Sequence, residues 1–344
     1  MNILLTGGAG YIGSHVAVVL AQRGDRVTIF DNFSNSQINI PDCIARIIGH
    51  SIPFVNGDVR DTELVASTLS KYNVDAVVHL AGLKAVGQSV LQPIEYYANN
   101  VQGTISVIQA MHTKRVKTLV FSSSATVYGV PTYLPLDERH PLSATNPYAR
   151  SKIQIEAILR DTAMSDSSWR IACLRYFNPA GAHESGLIGD QPNGVPNNLM
   201  PFIAQVALGK RKELRIYGND YSTPDGTGKR DYIHIMDLAE GHISGLDFLA
   251  NNKGWHAFNL GAGNSHSVLE LVQAFEFVSG KNLPYQIVPR RSGDVAECYA
   301  NPTKANRLFK WKTKRTIDEM CASAWRFAQQ YASAPNCESV DDGK

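Results

Sequence analysis

The sequence predicts an α/β fold: a doubly wound parallel sheet with a smaller C-terminal α/β lobe. Three observations carry this. The apolar run Ile3-Leu4-Leu5 leads straight into a glycine-rich turn and then an amphipathic stretch. Strand patterns then alternate with helical ones through the first half of the chain. Those strands read as nearly unbroken apolar runs, as strands covered on both faces do.

The first element is the strand ending at Thr6, followed by Gly7-Gly8-Ala9-Gly10-Tyr11-Ile12-Gly13-Ser14-His15. Glycines at 7, 10 and 13 let the backbone turn tightly and approach a pyrophosphate with no Cβ in the way. The N-terminus of the next helix points amide N–H groups at the phosphates. This strand–turn–helix is the opening of a Rossmann-type dinucleotide site. The second strand, Arg26 to Phe30, ends in Asp31, 18 residues beyond Gly13. A carboxylate there accepts from both adenosine ribose hydroxyls and repels a 2′-phosphate. No Arg or Lys occurs in Asn32-Phe33-Ser34-Asn35-Ser36. The predicted cofactor is NAD rather than NADP.

A third strand is expected at Ile52 to Val55, closed by Asn56-Gly57-Asp58. Asp61 to Lys71 reads as a helix with Leu64, Val65, Thr68 and Leu69 on one face. Ala76 to Gly82 and Lys117 to Ser122 read as further buried strands.

Two segments go beyond cofactor binding. Phe121-Ser122-Ser123-Ser124-Ala125-Thr126-Val127-Tyr128-Gly129 follows a strand, at the carboxyl end where open α/β sheets place ligands. Asn146-Pro147-Tyr148-Ala149-Arg150-Ser151-Lys152 has a proline suited to a helix's first turn. Tyr148 and Lys152, four apart, then share a helical face. A phenol has an ordinary pKa of about 10. A neighbouring ammonium favours the phenolate, and the positive ring of bound NAD pushes the same way. Tyr148 is therefore the candidate general base, removing an alcohol proton as hydride leaves the same carbon. Ser124 is placed to hydrogen-bond the same hydroxyl, and Lys152 to hold the nicotinamide ribose.

Together these motifs resemble the extended short-chain dehydrogenase/reductase family, and within it the UDP-glucose 4-epimerases. The resemblance also rests on His79-Leu80-Ala81-Gly82-Leu83-Lys84-Ala85-Val86-Gly87, Arg175-Tyr176-Phe177-Asn178-Pro179 and Pro196-Asn197-Asn198-Leu199-Met200-Pro201. Gly218-Asn219-Asp220-Tyr221, Gly226 to His234 and Asn259-Leu260-Gly261-Ala262-Gly263 extend it, so it spans about residues 2 to 330.

The resemblance implies reversible C4 epimerisation of UDP-glucose and UDP-galactose through a 4-keto sugar, with NAD tightly held and not consumed. It implies that Tyr148 is the base, Lys152 its electrostatic helper and Ser124 its hydrogen-bond partner. Alongside Gly7, Gly10, Gly13 and Asp31, the implied NAD contacts are Tyr11, Ile12, Asn32, Asn35, Ser36, Asp58, Val59, Leu80, Ala81, Lys84, Asn99, Ser122, Tyr148, Lys152 and Tyr176. Arg230 and Arg291 match diphosphate-binding arginines, whose guanidinium forks suit phosphate oxygens. Asn178 and Asn198 match substrate-binding asparagines, Arg215-Ile216-Tyr217 the strand beside uracil, and Asp294 a uridine contact. Lys84, Ser124, Ala125, Thr126, Tyr148, Phe177 and Leu199 complete the implied substrate set. Related 4,6-dehydratases carry a Thr-Asp-Glu group in the serine loop, whereas Ser124-Ala125-Thr126-Val127 has no carboxylate. In the family the position of Cys298 lines the sugar pocket, and a small residue leaves room for an N-acetyl group. Activity on UDP-GlcNAc and UDP-GalNAc is thus expected too.

At 344 residues the chain suits two lobes sharing a cleft. The expected division is 1–177 for NAD and 178–331 mainly for the nucleotide sugar, the chain crossing back between lobes, with a disordered polar tail at 332–344. Helices are expected at Leu199 to Leu208, Met236 to Leu249, Val268 to Val278 and Thr316 to Tyr331. The 33 basic and 31 acidic residues nearly cancel, giving no argument for nucleic-acid or membrane binding. The 10 histidines show no metal-ligand spacing, and no metal site is expected. Cysteines 43, 173, 298, 321 and 337 are odd in number and scattered. With no signal peptide read before the first strand, they suggest reduced thiols in a cytoplasm. The resemblance implies a homodimer through helices near Pro93 to Met111 and Pro147 to Met164. Two other functions compete: an NAD-dependent nucleotide-sugar dehydrogenase or reductase that releases reduced cofactor, and a non-catalytic NAD sensor.

Overall fold

The computed structural model describes residues 1–191, 194, 196, 198–291 and 293–333. Seven parallel strands form the central sheet. The first six are β1 (Asn2–Thr6), β2 (Arg26–Asp31), β3 (Phe54–Asn56), β4 (Ala76–His79), β5 (Thr118–Ser124) and β6 (Arg170–Tyr176). Four short strands follow: β7 (Asn178–Ala180), β8 (Leu214–Tyr217), β9 (Lys229–Arg230) and β10 (Tyr232–His234). The chain then returns to the large sheet as β11 (Gly254–Leu260), before β12 (His266–Ser267), β13 (Tyr285–Val288) and β14 (Glu297–Cys298). The sheet order is β3-β2-β1-β4-β5-β6-β11, reversing direction at β1 and β4.

Alternation along each strand explains the two buried faces. Leu5, Ile29 and Val78 pack into one core with Val16, Ile243 and Phe258, under the helices Tyr11–Gln22 and Ile235–Asn251. Their neighbours Leu4, Phe30 and Val77 point the other way. They meet Val65, Val107, Ile155 and Leu159 from the helices Thr62–Lys71, Gly103–Thr113 and Pro147–Ser165. Residues 235–260 therefore belong to the large layer, although they follow the start of the second lobe in sequence. That lobe has its own core, with Ile203, Leu271, Phe275, Met320 and Trp325 beside the β7–β10 and β8–β13 pairs.

Several boundaries move from their expected places. The third strand starts at Phe54, because Pro53 has no N–H to give the ladder. The fourth stops at His79. The fifth runs on through Ser124, since Ser122, Ser123 and Ser124 pair with Leu174, Arg175 and Tyr176. The last helix is Ile317–Ser333, so 332 and 333 are helical. Residues 334–344, including Cys337, lie outside the described residues. Among the described residues no helix is long and apolar enough to cross a membrane, and no cluster has the makeup of a metal site.

Candidate active site

Two connected clefts open at the carboxyl ends of the central strands. The first, of about 470 Å³, is lined by Gly7, Gly10, Tyr11, Ile12, Gly13, Asp31, Asn32, Asn35, Ser36, Val59, Leu80, Ala81, Lys84 and Asn99. Gly7 has φ +69°, and a Cβ there would stand 2.6 Å from the Ala81 nitrogen. A Cβ on Gly13 would stand 2.2 Å from the Gly7 carbonyl oxygen. The turn is thus a cradle that only glycine leaves open, with a helix N-terminus behind it. Asp31 is buried at its rim. It accepts from Ala9 N at 3.0 Å, Phe33 N at 2.8 Å and Ser36 Oγ at 3.1 Å. Burial pushes its carboxyl up in spite of these bonds. A carboxylate has about four acceptor sites, so Asp31 keeps capacity for a further donor. These features fit a dinucleotide.

The second cleft, of about 1090 Å³, holds Ser122, Ser124, Ala125, Thr126, Tyr148, Lys152, Tyr176, Phe177, Asn178, Asn198, Leu199, Arg215, Ile216, Tyr217, Arg230, Arg291 and Asp294. Asn146 caps the helix Pro147–Ser165 by accepting from Ala149 N at 2.9 Å, which starts the helix at Tyr148's turn. Lys152 Nζ donates to the Ser122 carbonyl at 2.7 Å and lies 4.8 Å from the Phe121 ring centre. Burial lowers its pKa to about 8. Ser124 Oγ accepts from Thr126 N at 3.2 Å and Thr126 Oγ1 at 3.0 Å.

The expected lowering of the Tyr148 pKa is corrected here. Burial raises it, and a hydrogen bond with Ser124 pulls it partly back. The protein alone therefore holds Tyr148 as the neutral phenol.

On the far side, Arg291 Nε donates to Asp294 Oδ2 at 2.9 Å, and its guanidinium lies 4.7 Å from the Tyr217 ring centre. Arg230 Nη2 is 3.7 Å from Asp294 Oδ1, and its Nη1 donates to the carbonyls of Lys229 and Val295. One carboxylate thus orders both guanidinium groups and leaves the pair a net positive charge. Arg215, Ile216 and Tyr217 form β8, with Leu214 and Ile216 turned inward. Asn198 Nδ2 donates to Asp190 Oδ2 at 2.7 Å, and Lys84 Nζ is 3.9 Å from Asp190 Oδ1.

Two expected residues are not among the described residues lining either cleft. Asp58 is taken up by Arg60, whose Nε and Nη2 reach it at 2.9 and 2.7 Å. That pairing holds its carboxyl down at about 2. Cys298, in register with Arg230, packs against the cluster of Val127, Tyr128, Leu136, Phe177 and Ala300. Burial pushes its thiol up to about 11. Of that cluster, Phe177 lines the larger cleft.

Other residues were not anticipated. The expected contact Asn99 lies on a π-helical turn, Tyr97–Gln102, of the kind that often marks functional sites, and the unanticipated residue is the next one. Its neighbour Asn100 clamps the Leu83 backbone, accepting from its N–H at 2.8 Å and donating to its C=O at 3.0 Å. Phe327 and Tyr331 of the last helix close the cofactor cleft. Beneath the serine strand, Arg175 and Glu156 form a buried pair at 2.5 Å, and Ser123 Oγ donates to Glu156 at 2.5 Å. Glu156 follows Lys152 by one helical turn, a spacing visible in the sequence; its partner on another strand was not.

Comparison with known proteins follows the same lines. A family model described as GDP-mannose 4,6 dehydratase matches residues 4–324. UDP-glucose 4-epimerase of Bacillus subtilis is 53% identical over 95% of this chain and 96% of its own length. The human UDP-glucose 4-epimerase is 49% identical, covering 96% of this chain and 97% of its own length. A solved UDP-glucose 4-epimerase from Stenotrophomonas maltophila, with bound NAD and formylated UDP-arabinopyranose, superposes with a TM-score of 0.95. It is 46% identical and covers 96% of this chain and 99% of its own.

Proposed function

This chain belongs to the UDP-glucose 4-epimerase family, and we propose that its two clefts carry out reversible C4 epimerisation of UDP-glucose and UDP-galactose with retained NAD. The observation that carries this reading is that three candidate catalytic groups share one cleft beside the cofactor cleft. Ser124, Tyr148 and Lys152 line the wall of the larger cleft, and Ile12, Leu80 and Lys84 line both clefts.

NAD, when bound, supplies reversible two-electron oxidation at the sugar C4 and a positively charged ring near Tyr148. Gly7, Gly10 and Gly13 cradle its pyrophosphate, and Asp31 holds its adenosine ribose. Tyr148 takes the proton from the 4-hydroxyl and later returns it. Its raised pKa suits the return step, and the loss step needs the positive charge that Lys152 and the cofactor bring together. Ser124 hydrogen-bonds the same hydroxyl and fixes its direction. Arg230, Arg291, Asn178 and Asn198 hold the nucleotide diphosphate, so the 4-keto sugar can turn while its anchor stays. Dehydration is not supported, because Ser124 to Val127 offers no carboxylate for elimination.

Homodimerisation is part of this reading. The segment Pro93–Thr113 packs beside Pro147–Ser165, and Leu91, two residues before it, and Ile94, at its start, are each 82% exposed. A cytoplasmic setting suits Cys43, Cys173, Cys298 and Cys321, all free thiols. Turnover of 2-acetamido sugars is the finer reading, resting on the small side chain of Cys298.

The test uses UDP-galactose deuterated at C4. Epimerisation returns the label to C4 of the UDP-glucose formed. A dehydrogenase passes the label to free cofactor, and a sensor leaves the sugar unchanged; either result overturns the proposal.

A further inference from the structure

We propose that Asp231 is a positioning residue that sets Arg230, a group holding the substrate's diphosphate, by tying the β9–β10 junction to the loop after β11 and to Ala300. This rests on the reading of Arg230 as a substrate contact.

Asp231 joins β9 to β10 and is fully buried. Its Oδ1 accepts from Ala262 N at 2.7 Å. Its Oδ2 accepts from Gly263 N and Ala300 N, both at 3.0 Å. Its own N–H donates to the Cys298 carbonyl at 3.1 Å, and its carbonyl accepts from Asn178 N at 2.9 Å. One residue thus touches the strand carrying Arg230, the start of β7 with Asn178, the end of β14 with Cys298, and the loop after β11.

A buried carboxylate normally has a cation beside it. Among the described residues none lies within ion-pair distance of Asp231. Arg230, its chain neighbour, turns its guanidinium to the Lys229 and Val295 carbonyls and toward Asp294 instead. Three backbone N–H groups hold the charge alone, as charge-assisted bonds. The seat has no slack. A Cβ on Gly261 would stand 2.6 Å from both Asp231 Oδ2 and the Ala300 Cβ. Such an arrangement gives up solvation of a charge in order to fix backbone geometry. What the carboxylate fixes is the β9–β10 junction, and with it Arg230, against the loop after β11 and Ala300; the ties to Asn178 and Cys298 are backbone bonds. The reacting side chains are elsewhere, on β5 and on the helix Pro147–Ser165, packed into the large layer. Loss of the carboxylate's bonds therefore loosens binding more than chemistry.

The test compares wild type with Asp231→Asn and Asp231→Glu, each purified with its cofactor. The Asn variant sets an amide NH2 against N–H donors. The Glu variant keeps the charge and moves its oxygens, and serves if the Asn variant does not fold. UDP affinity is measured by calorimetry, KM and kcat by epimerisation, and melting by calorimetric scan. The expected result is UDP binding weakened about tenfold or more, with KM raised in step and kcat within about threefold of wild type. Cofactor content stays unchanged. Wild-type UDP affinity in the variants, or a lower melting temperature with KM unmoved, overturns the proposal. So does a collapse of kcat at constant KM. Failure of the wild type to bind UDP overturns the site reading itself, and this role with it.

Discussion

Lys152 Nζ stands 5.8 Å from the centre of the Tyr148 ring and is bonded to the Ser122 carbonyl, not to the phenol. The two groups are buried together yet perturbed separately. Burial raises the phenol's pKa and lowers the ammonium's to about 8. Each is less charged than it would be in water, and the base becomes competent only when more positive charge arrives.

Replacing Tyr148 with Phe removes the proton carrier and little else. Turnover is expected to fall by about 10²–10⁴-fold, the usual contribution of a general acid–base. NAD released on denaturation should match wild type. Near-normal turnover in this variant contradicts the mechanism.

Lys152 is predicted to cost stability for the sake of function. Its pKa is near 10.5 unfolded and about 8 folded. The unfolded chain therefore binds more protons between these values, and stability rises with pH across that window. Below pH 8 the full penalty applies, about 3 kcal/mol from the size of the shift. Lys152→Met should then be more stable than wild type at pH 7, by about 1–2 kcal/mol after loss of the Ser122 bond. It should also be nearly inactive. Urea denaturation at pH 7 and pH 10 checks this, the advantage shrinking at the higher pH.

The Glu156–Arg175 pair is predicted to be a structural support of the serine strand. Glu156→Gln leaves a guanidinium that is 2% exposed without its counter-charge. Breaking a buried pair from one side costs about 3–5 kcal/mol. The urea midpoint should fall with an unchanged slope. An unshifted midpoint contradicts the assignment.

Cys298 is predicted to act on sugar choice through Phe177, against whose cluster it packs. Cys298→Tyr adds a ring at that cluster. It should lower kcat/KM for UDP-GalNAc relative to UDP-galactose by about tenfold or more. Equal effects on both substrates contradict this role.

Local signals made much of this legible. The Gly7–Gly13 turn, the Asp31 strand end and the Tyr148–Lys152 spacing are each set within a few residues by backbone sterics or helix period. What was not legible depends on partners far away in sequence. β11 completes the large sheet beside β6, with Gly254 opposite Arg170, and nothing in its own residues names that partner. Ser123 and Ser124 resemble a loop in composition but are strand, because β6 pairs with them. The sign of the Tyr148 shift was misjudged because sequence spacing fixes a shared face, not the depth of burial that raises the phenol's pKa.

The most direct measurement supplies UDP-galactose to the purified protein with no added NAD and follows the sugar by NMR. The account predicts accumulation of UDP-glucose to equilibrium over many turnovers, with no net change in free reduced cofactor. Turnover that halts after one equivalent, or that requires stoichiometric NAD, contradicts it.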